Sequence, residues 1–81
     1  MSETITVRVR FFASFREQFG LSDETLSVAN NTTIRQLFKL LLPDAEIPDR
    51  ILVARNQEYS DLGQVISDGD EIAYFPPVTG G

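Results

Sequence analysis

Thr33-Ile34-Arg35-Gln36-Leu37-Phe38-Lys39-Leu40-Leu41-Leu42-Pro43 is the stretch whose reading decides the fold. Ile34, Leu37, Phe38, Leu41 and Leu42 fall at i, i+3, i+4, i+7 and i+8, which makes one apolar stripe on a helix. Thr33 can cap that helix through its hydroxyl, and Gln36 completes a capping box three residues on. Pro43 stops it. Burying such a stripe stabilises by on the order of 10 kcal/mol gross, before chain entropy is set against it. The stripe is therefore expected to face a core rather than a lipid surface or a partner.

Toward the N-terminus, Asn30-Asn31-Thr32 is turn chemistry. Before it, Glu24-Thr25-Leu26-Ser27-Val28 alternates and is rich in β-formers, which predicts a strand. Residues 13–19 read as a short helix with Phe15 and Phe19 one turn apart, and Gly20 follows as its stop. Ile5-Thr6-Val7-Arg8-Val9-Arg10-Phe11 alternates again. Ile5, Val7, Val9 and Phe11 then face a core, while Thr6, Arg8, Arg10 and Phe12 face away.

Toward the C-terminus, residues 44–50 read as a polar loop broken by Pro48. Ile51-Leu52-Val53-Ala54 is a short apolar strand that Asn56-Gln57 turns into a brief partner around Glu58-Tyr59. Leu62, Val65 and Ile66 read as a loosely structured return to the core. Ser67-Asp68-Gly69-Asp70 turns the chain into a last strand, Glu71-Ile72-Ala73-Tyr74-Phe75. Strands at both ends around one strong helix give an α+β class, with a mixed sheet packed on that helix.

The chain has 81 residues, room for one core, with an apolar fraction of 42% that suits a globular domain. It contains no Cys and no His, so neither a thiol nucleophile nor an imidazole base is available. Asp68-Gly69-Asp70-Glu71 falls short of a calcium loop's ligand count, and no metal site is expected. A net charge of −5 disfavours nucleic acid and fits a basic protein partner or simple solubility. No signal segment or membrane span is visible, so the cytoplasm is the expected compartment.

The chain closes on Phe75-Pro76-Pro77-Val78-Thr79-Gly80-Gly81. The two prolines lack an N–H and hold the chain extended, so the strand is expected to stop and an arm to begin. Six residues beyond Phe75 span roughly 20 Å. Gly80 and Gly81 would let the tip enter a passage too narrow for a Cβ. Residues 1–75 are thus expected to form the domain, and residues 76–81 a flexible arm.

Val9-Arg10-Phe11-Phe12-Ala13 with Arg16-Glu17, the Asn56-Gln57 turn, and Asp68-Gly69-Asp70-Glu71 running into the Pro-Pro-Val-Thr-Gly-Gly tail closely resemble one family. It is the small, sulfur-carrying subunit of molybdopterin synthase. The resemblance implies a ubiquitin-like β-grasp fold in which the first and last strands are parallel neighbours. It implies no bound cofactor: a ubiquitin-activating-like partner spends ATP to adenylate the Gly81 carboxylate, and a sulfur donor protein supplies the sulfur of a thiocarboxylate. It implies a large catalytic subunit that receives the arm (residues 76–81), with two small subunits on a dimer of large ones. A thiamine-type sulfur carrier, a ubiquitin-like protein modifier joined through Gly81, and a plain interaction module with an inert tail stand as alternatives.

Strand phase adds a docking surface. Phe12, opposite in phase to Phe11, and Phe75, opposite in phase to Tyr74, can share the outward face if the end strands are neighbours. Arg10 and Arg16 would rim the pair, a composition typical of interface hot spots. Phe12 has a competing reading, in which it begins the turn into the first helix and tucks beneath it.

Overall fold

Five strands and two helices follow from these patterns in the computed structural model, which describes residues 3–77. In chain order they are β1 (Thr4–Phe11), α1 (Ser14–Phe19), β2 (Asp23–Ala29), α2 (Ile34–Leu41), β3 (Leu52–Arg55), β4 (Glu58–Tyr59) and β5 (Glu71–Phe75). The sheet order is β2-β1-β5-β3-β4. β1 and β5 run parallel at its centre, with Val9 opposite Ile72 and Phe11 opposite Tyr74, and the remaining pairs are antiparallel. This is the mixed sheet of a ubiquitin-like β-grasp, in an α+β domain.

The alternation in β1 places Val7, Val9 and Phe11 at 1%, 0% and 1% exposure against α2. From α2, Ile34, Leu37 and Phe38 are wholly buried, while Leu41 and Leu42 are half-buried and pack against the core from its rim. Phe11 and Tyr74 stack at 5.2 Å between ring centroids, and Phe38 meets Tyr74 edge-on at 5.4 Å. The Tyr74 hydroxyl donates to the Ile34 carbonyl inside this core. Burial pushes its pKa far above the usual phenol value, with the Phe38 backbone opposing only in part.

The capping box of α2 forms as its sequence requires: the Thr33 hydroxyl accepts from the Gln36 N–H, and the Gln36 side chain accepts from the Thr33 N–H. The two other free N–H groups of the first turn, Ile34 and Arg35, donate to the carbonyls of Gln64 and Leu62. Residues 62–66, expected to be loose, are thus ordered by satisfying a helix terminus. Ile66 is buried as expected, but Val65 is exposed.

Two other local expectations shift. The first helix starts at Ser14 rather than 13, because Ala13 takes φ 56° and ψ −137°, outside the helical region. Gly20 stops that helix in the left-handed conformation as expected. The loop of residues 44–50 is less polar in its packing than in its composition, with Ala45 and Ile47 lying against the core. The β3–β4 hairpin turns on Asn56 and Gln57, both at positive φ, as a two-residue turn of this hand demands.

Candidate partner-docking site

The outward face of the sheet carries the site. Across it, Arg10 stands opposite Ala73, Ala73 opposite Ala54, and Ala54 opposite Tyr59. Residues directly opposite share a face, so one row crosses four strands from a guanidinium to a phenol. Two residues further along β5, Phe75 stands opposite Leu52. The Phe12 N–H donates to the Tyr74 carbonyl, so Phe12 continues the phase of β1 past its last residue.

Phe12 and Phe75 meet edge-to-face at 6.5 Å between centroids, and Phe75 meets Tyr59 at 6.0 Å. Phe75 is half-buried between an exposed Phe12 (37%) and a strongly exposed Tyr59 (77%). The Arg10 guanidinium lies 4.9 Å from the centre of the Phe12 ring. It is held there by Asp23 at 3.1 Å and Glu71 at 3.5 Å. An aromatic trio with a fixed cation at its edge is a surface suited to burying against another protein.

Sequence phase thus puts Phe12 and Phe75 where the structure finds them. Both readings of Phe12 hold in part. Its carbonyl accepts from Phe15 N–H and opens the turn into α1, yet its side chain stays on the sheet rather than beneath the helix. The cation seated on the ring is Arg10; Arg16 lies exposed on α1. Tyr59 was not legible as part of the group. Its only signal was an aromatic in a two-residue strand after an Asn-Gln turn, and the β3–β5 register was needed to bring it beside Phe75. Ala73 shares the outward phase but is almost covered, at 9% exposure.

Pro76 and Pro77 are half-buried and carry the chain off β5 next to Phe75. Val78, Thr79, Gly80 and Gly81 lie outside the described residues.

At the opposite end of β5 the turn before it is clamped. The Asp70 carboxylate, on a residue 6% exposed, accepts from Arg55 Nε at 2.7 Å, Ser67 N–H at 2.8 Å and Asn56 Nδ2 at 2.9 Å. Burial works to raise its pKa, but the bonds from Ser67, Asn56 and Arg55, with the Arg55 charge, outweigh it and hold the carboxyl below its usual value. Asn56 also binds the backbone of Glu71 through both its own N–H and its side-chain oxygen. Asp68-Gly69-Asp70-Glu71 is therefore a tie between β1, β3 and β5. Among the described residues no group of His, Cys, Asp or Glu is arranged to hold a metal. No described helix is long and apolar enough to cross a membrane.

A family model described as the ThiS family matches residues 9–81. The human molybdopterin synthase sulfur carrier subunit is 38% identical over 93% of this chain and 93% of its own length. Among solved structures, SAMP1 of Haloferax volcanii, a small archaeal modifier protein, superposes with a TM-score of 0.77 at 31% identity, covering 94% of this chain and 99% of that one. A protein–protein complex of subunits 1 and 2 of the molybdopterin-converting factor from Helicobacter pylori contains a chain that superposes with a TM-score of 0.61 at 29% identity. It covers 95% of this chain and 100% of that one.

Proposed function

The chain belongs to the ThiS family and is a relative of the molybdopterin synthase sulfur carrier subunits, and from that premise we propose that it carries sulfur on the carboxyl group of Gly81. A free carboxylate is a poor electrophile. An adenylating partner would join it to the α-phosphate of ATP, releasing pyrophosphate and leaving an acyl-adenylate. The outer sulfur of a persulfide on a donor protein then attacks the acyl carbon and AMP departs, leaving an acyl disulfide. A thiol cleaves its S–S bond, taking the donor's sulfur into a new disulfide and freeing the terminus as a thiocarboxylate. The chain needs no Cys for this, since the backbone terminus holds the sulfur. Gly81 leaves the reacting carbon unhindered.

A large catalytic subunit would take the arm into its active site, where the thiocarboxylate sulfur attacks the pterin precursor. The aromatic trio of Phe12, Phe75 and Tyr59 is the docking surface in this reading, at the root of the arm. Docking there fixes where Pro76 and Pro77 leave the domain, and so limits where Val78, Thr79, Gly80 and Gly81 can reach. The single observation that supports the reading most is the family match running through Gly81.

Intact mass spectrometry after incubation with an adenylating enzyme, ATP and a sulfur donor tests it. One oxygen replaced by sulfur at Gly81 is the expected product. An unchanged mass under conditions that load a known carrier would refute the proposal.

The likeness to SAMP1 favours a second reading, a protein modifier. Both share the acyl-adenylate and part at the next nucleophile: sulfur gives a carrier, a lysine amine an isopeptide bond. Adducts of this chain on other proteins in a crude extract would support the second.

A further inference from the structure

The sheet has a second open feature, on the side away from the aromatic trio. β2 is its outer strand, paired only with β1. Phe11 N–H bonds to the Ser22 carbonyl and Asn30 N–H to the Glu3 carbonyl at its two ends. Antiparallel alternation then turns Glu24, Leu26 and Val28 toward β1, and leaves the N–H and C=O groups of Thr25 and Ser27 aimed outward. An open row of this kind is a template for one more strand.

Beside the C-terminal end of β2 lies a groove of about 670 Å³, bounded by Ala29, Asn30, Arg35, Gln36, Lys39 and Leu40. Leu40 is 59% exposed, off the buried stripe of α2. Arg35 and Lys39 are two of only seven basic residues in a chain of net charge −5. Among the described residues the Arg35 guanidinium makes no ion pair, and Lys39 Nζ donates only to the Ala45 carbonyl. The other end of β2 is acidic, with Asp23 engaged by Arg8 and Arg10, and Glu24 beside it.

We propose that the open edge of β2 and the Arg35–Lys39–Leu40 flank of α2 together form a second docking site, which takes an extended acidic–apolar segment of a partner protein as an added strand. The outward groups of Thr25 and Ser27 supply backbone pairing, and the groove beside Leu40 takes the apolar side chains. Arg35 and Lys39 take the acids, which fixes the polarity: the acidic end of the segment sits near Ala29, away from Asp23 and Glu24. A second copy of this chain fits less well. Antiparallel pairing of β2 with β2 would set each Arg35–Lys39 flank near the other copy's Asp23, a carboxylate already engaged by Arg8 and Arg10. The site is independent of the chemistry proposed for Gly81 and leaves the Phe75 face free.

The test is a ¹H–¹⁵N titration of the full chain with a synthetic peptide of alternating valine and isoleucine followed by glutamates, and with its lysine-ended counterpart. Expected are shifts at Thr25, Ser27, Ala29 and residues 35–40 with the acidic peptide alone, and at least about tenfold weaker binding by the Arg35→Glu/Lys39→Glu variant. Ser27→Pro should weaken binding as well, since it removes an outward N–H and leaves the β1 ladder intact. If that variant fails to fold, the charge-reversed one carries the test, because its substitutions are on exposed positions. Equal affinity for both peptides, shifts confined to Phe12, Tyr59 and Phe75, or no shift at all would overturn the proposal. So would a concentration-dependent dimer through β2 that the acidic peptide does not displace.

Discussion

Phe75→Ala separates docking from folding. Phe75 is half-buried and touches Phe12 and Tyr59, both on the outward face. Its removal costs the fold two aromatic contacts of about 0.5 kcal/mol each and about 1 kcal/mol for the buried half of the ring, so roughly 2 kcal/mol in total. A domain of this length has about 4–12 kcal/mol of stability, and the variant stays folded at room temperature. In the proposed complex the same ring lies at the centre of the buried patch, where truncation costs about 2 kcal/mol or more, near thirtyfold in Kd. Phe38→Ala is the counterpart. Phe38 is fully buried against Phe11, Phe19 and Tyr74, so its loss should cost about 3–5 kcal/mol of stability without removing any docking contact. Urea unfolding gives the stability of each variant, and calorimetric titration with the large subunit of molybdopterin synthase gives its affinity. A Phe75→Ala protein that unfolds easily yet binds normally would show the ring to be a core residue and refute the assignment of this face.

Three other perturbations probe the remaining parts. Asp70→Asn should cost about 2 kcal/mol at pH 7 by weakening the tie to Arg55, Asn56 and Ser67. The native carboxyl has a lowered pKa, so its contribution is present above the unfolded value of about 3.9 and is lost as pH falls through the folded one. The gap between wild type and Asp70→Asn in urea unfolding should therefore shrink below about pH 4, and a gap constant down to acid pH would contradict the assignment. Ala13→Gly should stabilise by on the order of 1 kcal/mol in thermal melts, because φ 56° with ψ −137° suits glycine far better than alanine; a loss of stability would mean the methyl group is a packing contact. Deleting Gly81 should abolish sulfur loading and leave the melting temperature unchanged, since the last strand ends at Phe75. A Gly81-deleted protein that still converts the pterin precursor would sink the carrier proposal.

By itself the sequence determined the parts of this protein whose physics is local. The alternation of Ile5 to Phe11 specifies which face of β1 is buried whatever the strand pairs with. The Thr33–Gln36 box and the left-handed stop at Gly20 are bonds and dihedrals within a few residues of one another, so they form as written. The Gly-Gly ending, too, was readable from composition and resemblance, and the family match runs through it. The tertiary structure decided whatever depends on partners far apart in the chain. Tyr59 joins Phe75 only because β3 lies between β4 and β5 in the sheet order. Asp70 is a clamp rather than a turn residue because β3 brings Arg55 and Asn56 to it. Ala73, outward in phase, is covered nonetheless, and residues 62–66 are ordered by the N–H groups of a helix that starts at Ile34, some thirty positions earlier. Periodicity says which side of a strand meets the core, but not which strand stands beside it. That choice is made by burying α2 against the whole sheet at once, a sum over contacts distant in the chain that no local pattern encodes.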